Sequence, residues 1–301
     1  MKAHHLFAKG KNWWGIFYRI EDCIMYFTTF SVFARRMGIV FVGFSIMFNH
    51  THATALDETR QRLTLFQRQV GVSTAHTYNK EYGRKGPLWH HSFGFSVKNG
   101  VKRILGNIAY VVNNCVAGKM NRNAIENRWT LLAYYNNPHP FSEAIVNRER
   151  SRRMIRAMRL VDIKFGNDEY IDYLTQRRIF SSLNKKEKKQ IIDYIVYKYN
   201  FLDYQAIISL YGSFDKALVA IESNAGNEFD LKDDCGDHSC YRTMIGVLSS
   251  YCKTTKIDVE KLDDNTLNYL KSVFSTQYGI KDSSINKFLH LPRSTQTTEN
   301  Q

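Results

Sequence analysis

The sequence predicts an α+β fold: a ferredoxin-like, split βαβ unit with an antiparallel sheet, followed by an all-helical carboxy-terminal region. Three observations predict it. Short apolar runs and amphipathic stretches alternate in the order β-α-β-β-α-β-α over the first part of the chain. Segments of helical period follow beyond Lys119, without intervening strands. Hydrophobic residues make up 44% and aromatics 14% of 301 residues, enough for a packed core in one large domain or two ordinary ones.

Each element has a local cause. His4 to Ala8 is a short apolar run, a first strand closed by Lys9-Gly10-Lys11. From Ile20 to Arg36, Ile24, Phe27, Phe30 and Phe33 recur at near-helical spacing, and Glu21 and Asp22 fall in the first turn, where acids suit the helix dipole. Gly38 ends that helix. A strand pair from Ile39 to Ala55 follows, β-branched and aromatic in its first half, with a kink near Asn49. Leu63, Phe66 and Val70 mark one face of a helix from Leu56 to Lys80, and Gly83 and Gly86-Pro87 break the chain. Leu88 to Val97 alternates as a strand, and Gly100 to Val116 is an amphipathic helix. In this arrangement helices cover one sheet face and leave the other open for a site.

The composition shifts beyond Lys119. From there on the chain is basic and mainly helical, an accessory region to the first part. Arg148, Arg150, Arg152, Arg153, Arg156 and Arg159 crowd one helical segment, as a solvated face or as phosphate contacts. Gly166 opens a linker. Leu183 to Asn200 is a helix with capping-box spacing at Asn184 and Glu187. Asp203 to Tyr211 and Ser213 to Ser223 are two short helices around Gly212, a pattern shared by helix-turn-helix modules and many small bundles. Residues 293–301 are polar and frayed.

Lys and Arg number 42 against 28 Asp and Glu, a net charge of +14, which argues for a polyanionic partner and first of all nucleic acid. The apolar run from Met37 to Phe48 is too short to span a membrane. Lys2, His4, His5, Lys9 and Lys11 interrupt any signal-peptide core, and the five cysteines are odd in number and scattered. A cytoplasmic, nucleoid-associated protein with reduced thiols is expected. Cys235, His238, Cys240 and Cys252 match no C-x-x-C pair, which argues against zinc.

The chemistry concentrates in Phe48-Asn49-His50-Thr51-His52. On a strand, residues two apart share a face, so His50 and His52 present two imidazoles side by side. Paired histidines are also ordinary polar strand residues. Tyr110 and Asn114, four apart, share a helical face. The phenol can attack a phosphorus centre, and the amide oxygen can complete a metal shell begun by the histidines. Alone, Tyr110 reads equally as a core tyrosine with a satisfied hydroxyl.

From His4 to about Glu143 the chain resembles the HUH single-tyrosine transposases, in their REP-associated branch. His4-His5 and Gly10 resemble the first strand and its loop. Ile16-Phe17 and Glu21-Asp22 resemble the start of the first helix. Met47-Phe48-Asn49-His50-Thr51-His52 resembles the M-P-N-H-x-H block. Tyr78-Asn79 and Gly86-Pro87-Leu88-Trp89 resemble the stretch before the fourth strand, and Tyr110 to Gly118 resembles the Y-I-x-x-N-P-V-x-A-G block. The resemblance implies a ferredoxin-like catalytic domain over residues 1–143, ahead of the accessory region 144–301, a Mg²⁺ or Mn²⁺ cofactor, and single-stranded or hairpin DNA as substrate. It implies His50 and His52 as metal ligands, Asn114 as a third, and Tyr110 as the nucleophile forming a 5′-phosphotyrosine link. From charge, Arg148, Arg152, Arg153 and Arg156 are the candidate DNA contacts. No chemistry is assigned to Trp89, His90 or His91. The chain departs from the family at Thr51, usually apolar, at Phe48 and Cys115, usually proline, and at Asn114, often glutamine. These departures leave room for a domesticated hairpin-binding regulator without cleavage, acting as a monomer or homodimer. An RNA-binding sheet would instead show exposed aromatics in place of paired histidines.

Overall fold

The computed structural model describes residues 1–90, 93–223, 238–253 and 258–291, so His91, Cys235 and residues 293–301 lie outside the described residues. Strand β1 (Lys2–Lys9) leads into helix α1 (Ile20–Met37), the hairpin β2 (Phe41–Ile46) and β3 (His50–Leu56), helix α2 (Arg60–Tyr82), strand β4 (Gly94–Asn99) and helix α3 (Val101–Ala117). Eight more helices follow among the described residues: α4 (Arg152–Gly166), α5 (Tyr173–Phe180), α6 (Lys185–Lys198), α7 (Tyr204–Tyr211), α8 (Phe214–Ser223), α9 (Ser239–Cys252), α10 (Asp264–Thr276) and α11 (Asp282–Phe288). None of the described helices is long and apolar enough to cross a membrane.

The four strands form one antiparallel sheet in the order β2-β3-β1-β4. Register fixes the faces. His52 lies opposite Phe7 and Ser45, His50 opposite Lys9, and Thr54 opposite His5. Directly opposed residues share a face, so His5, Phe7 and Lys9 stand with His50 and His52. The alternate residues, among them Leu6, Phe44 and Ala53, join α1 and α2 in a core built around Phe27, Phe30 and Phe66.

Three expectations need correcting. The fourth strand starts at Gly94 and not at Leu88, because Leu88 and Trp89 are buried without joining its ladder; Trp89 makes an isolated bridge to Gly10 and donates its indole N–H to Thr74. The segment after Gly166 is not a loose linker. Ile171 is fully buried, its N–H donates to Thr28, and the Tyr173 hydroxyl donates to the buried Asp22 carboxylate at 2.8 Å. The second sheet face is not open, because α3 lies across it and α8 packs on α3 through Phe214 and Ile221.

The departures in sequence have local reasons. The Thr51 hydroxyl pairs with that of Tyr26 at 2.8 Å, which removes the cost of burying it. Phe48 stacks on Tyr241 with centroids 3.9 Å apart, docking α9 onto the β2–β3 turn. Cys115 is fully buried among Val112, Phe214 and Ile221, and burial pushes its thiol up to about 12.

Gly94 is required by packing. A Cβ there would sit 1.6 Å from the Phe7 ring. Gly94→Ala is expected to lower stability by about 2–3 kcal/mol through overpacking, whereas Gly166→Ala, with open space around it, stays near neutral. Urea denaturation checks this, and equal midpoints for the two variants would refute it.

The carboxy-terminal helices are fastened to the end of α2. Arg84 pairs with Glu260 at 2.5 Å, and Lys261 donates to the Tyr82 carbonyl. A hydrogen bond with His290 and the Arg84 guanidinium hold the Glu260 carboxyl down to about 2. Its folded-state value lies below the unfolded one, so its stabilisation is present above the usual carboxylate range and lost as pH falls toward 2. With solvent screening, the effect is about 1–2 kcal/mol. Glu260→Gln should unfold at a lower temperature than wild type at pH 7, and the gap should close near pH 2–3. A gap independent of pH would refute the assignment.

Candidate active site

The β2–β3 turn sets the two histidines. Met47 N–H donates to the His50 carbonyl, closing the hairpin, and the Phe48 carbonyl accepts from Ile16 and Phe17. The Asn49 side chain donates to the Trp13 carbonyl at 2.8 Å, pinning the turn to the loop after β1. The Asn49 amide oxygen, which only accepts, takes the proton of His50 Nδ1 at 2.7 Å. That hydrogen bond places the ring's remaining lone pair on Nε2.

His52 is held in a similar way. Its Nδ1 lies 2.9 Å from His5 Nε2, and the two rings stack with centroids 5.0 Å apart. With the shared proton on His52 Nδ1, the His52 lone pair is on Nε2. That nitrogen is buried and has no hydrogen-bond partner among the described residues. Burial first, then His50, His5 and Lys9, hold His52 well below the usual imidazole range, so the ring is neutral at physiological pH. A neutral imidazole with one nitrogen fixed by an outer partner and the other orphaned is the form that ligates a cation.

Helix α3 brings the tyrosine to the same face. The helix packs over Gly43 on β2, where a Cβ would make an ordinary contact with Val111 at 3.5 Å and a tight one with the Thr54 hydroxyl at 3.2 Å. One turn earlier, Asn107 accepts from the Thr54 hydroxyl at 2.9 Å. Tyr110 then points its ring edge-on at the pair, with centroids 5.5 Å from His5 and 5.9 Å from His52. Asn114 sits one turn on, buried, with Nδ2 donating to the Tyr110 carbonyl at 2.8 Å, so any ligation by this residue is through Oδ1. Among the described residues no group of three or more His, Cys, Asp and Glu is gathered as a metal site. The two imidazoles would supply only part of a cation's shell, the rest being left to oxygens from an amide, a phosphate or water.

The site is enclosed. His5, His50 and His52 are at most 1% exposed and Tyr110 is 8% exposed. The His238 ring lies 5.9 Å from that of His50, and its backbone N–H donates to the Gly118 carbonyl. Trp13 stands edge-on to His50 at 6.3 Å, with Lys9 Nζ 4.0 Å over its indole.

The candidate DNA contacts lie elsewhere. Arg148 is in a single 3₁₀ turn, and Arg152, Arg153 and Arg156 are exposed along α4. The main packing partners of α4 are α5 and α6, whereas those of α3 are β2 and α8. The sequence presents His238 only in a zinc pattern and His5 only in the first strand, and places neither at this site. Period-two alternation in β1 placed His5 with Phe7, but only the register places it beside His52.

No family model matches the sequence, and no curated protein does. Among solved structures, the chain is similar to a REP-associated tyrosine transposase bound to a REP hairpin, at 12% identity and a TM-score of 0.35, over 48% of this chain and 87% of that one. A likeness of that degree decides nothing about the site, whose chemistry rests on the side chains themselves.

Proposed function

We propose that this chain is a metal-dependent transposase that nicks and rejoins single-stranded DNA at hairpins through a 5′-phosphotyrosine intermediate. One observation carries the reading: the H-x-H pair of β3 and Tyr110 of α3 meet on one sheet face, with the tyrosine ring against His52 and its partner His5. The strand order and the two crossover helices on one side support a ferredoxin-like catalytic unit within residues 1–143.

In this reading the Tyr110 hydroxyl oxygen attacks the scissile phosphorus and the bond to the 3′ oxygen breaks. The phosphoryl group stays on Tyr110, the phenolic proton passes to solvent, and the released oxygen takes up a proton as a 3′-hydroxyl. Attack by a 3′-hydroxyl reverses the step and rejoins a strand, with the phosphodiester energy conserved. His50 and His52, with Asn114 through Oδ1, would hold Mg²⁺ or Mn²⁺, which when bound polarises the phosphate and offsets developing charge. The orphaned His52 Nε2 supports that fit. Arg148, Arg152, Arg153 and Arg156 would contact phosphates of the hairpin from the accessory region 144–301.

A second reading is a hairpin-binding regulator without cleavage, and the burial of Tyr110 favours it. A denaturing gel with labelled hairpins from the DNA flanking the gene, in Mn²⁺ or Mg²⁺, separates the two. A slow, protease-sensitive adduct lost with EDTA supports the transposase. Tight hairpin binding with no adduct in either metal supports the regulator.

A further inference from the structure

Trp13 is a bulky residue held where its backbone is strained. It and Asn12 take left-handed conformations in succession, with φ of 63° and 54°. Asparagine tolerates that region, but tryptophan does not enter it without cost. The loop is nevertheless fixed. The Trp13 N–H donates to the Gly10 carbonyl at 2.9 Å, and the Trp13 carbonyl accepts from the Asn49 side chain at 2.8 Å. Core burial of the indole does not offset the strain. The residue is partly exposed and belongs to none of the hydrophobic clusters among the described residues. Its indole N–H has no hydrogen-bond partner among them either. Strained residues of this kind gather at active sites and ligand clamps.

The strained residue stands at the histidine pair. The indole is edge-on to His50, with centroids 6.3 Å apart. Asn49 holds the Trp13 carbonyl through Nδ2 and His50 Nδ1 through Oδ1, so one side chain sets both the indole and the imidazole. Lys9 Nζ and Lys287 Nζ lie over the indole at 4.0 Å and 5.8 Å. An exposed cation–π contact is weaker than the stack of a nucleobase on an aromatic ring, so a base can take the place of either ammonium.

We infer that Trp13 is a platform on which one base of the single-stranded DNA stacks, beside the phosphate bound at the His50–His52 pair. The inference deepens the transposase reading and rests on it for the identity of the strand. Every base has a π-face, so Trp13 positions the strand without reading its sequence.

The test is binding of a labelled oligothymidylate of about a dozen nucleotides to the full chain, followed by anisotropy at several salt concentrations. Thermal unfolding of each variant accompanies it. Trp13→Gly should weaken binding about tenfold, the scale of one lost base stack. The log–log salt slope should not change, because no phosphate contact is lost. Glycine adopts the left-handed backbone freely, so the variant should unfold no lower than wild type. Trp13→Phe should bind close to wild type, yet lose most of the tryptophan quenching that the oligonucleotide causes. Wild-type affinity in Trp13→Gly overturns the inference, and so does undiminished quenching in Trp13→Phe. A joint fall of affinity and unfolding temperature in Trp13→Gly also overturns it, because the indole was then holding the loop's shape. The hairpin adduct assay fails independently. Adduct formation by wild type, with wild-type affinity in Trp13→Gly, sinks the platform alone. Weakened binding in Trp13→Gly, with no adduct from wild type in either metal, sinks cleavage and leaves the platform standing.

Discussion

Tyr110→Phe is expected to abolish the covalent DNA adduct and reduce strand cleavage by at least about a thousandfold, the scale on which loss of a nucleophile acts. The change removes one oxygen and keeps the ring. The edge contacts with His5 and His52 are therefore retained. Hairpin affinity should stay within about twofold, and the unfolding temperature within a few degrees. A variant that still forms adduct shows that Tyr110 is not the nucleophile. A variant that loses hairpin binding together with cleavage shows that the phenol was holding the site's shape. The enclosure of the site sharpens the experiment. Tyr110 is 8% exposed, so in the transposase reading a phosphodiester would reach it only if the surrounding structure opened. A wild-type protein that binds hairpins tightly, yet behaves like Tyr110→Phe with either metal, is the regulator.

The parts of this architecture legible in the sequence are those with local causes. Glu21 and Asp22 start α1, and Gly38 stops it in the left-handed conformation. The H-x-H triplet puts two imidazoles on one face because strand geometry leaves no alternative, and the observed register does so. What escaped was set at long range. Leu88 and Trp89 continue the apolar pattern of a strand, yet Trp89 is anchored to α2 through Thr74, so the ladder begins five residues after it, at Gly94. Helix α3 was predicted, but not that it lies across the second sheet face with α8 packed on it, and so that face was expected to be open. His5 was read with His4 only as part of the first strand, because nothing local distinguishes the two. Only pairing with β3 sets His5 against His52 and sends His4 to the opposite face.

That long-range pairing leads to the second large effect. His52→Ala should reduce Mn²⁺ affinity by more than the roughly 10–100-fold that loss of an outer partner brings, because it removes a ligand and not its support. His50→Ala should do the same. His5 is the support. In the proposed reading its Nε2, 2.9 Å from His52 Nδ1, accepts that nitrogen's proton while its ring stacks on that of His52, so it would set both the tautomer and the plane of the proposed ligand. His5→Phe preserves the stacking and deletes the hydrogen bond, and it should weaken Mn²⁺ binding about tenfold. His5→Gln can return an acceptor to the same place and should recover most of the loss. A purely structural role predicts another pattern, in which Phe, the better packing residue in a fully buried site, is tolerated and Gln is not. Electron paramagnetic resonance titration of Mn²⁺, alongside thermal unfolding of each variant, distinguishes them without recourse to DNA cleavage. Wild-type affinity in His5→Phe would remove His5 from the site. Wild-type affinity in His52→Ala would remove the metal from it, and with the metal the transposase reading itself.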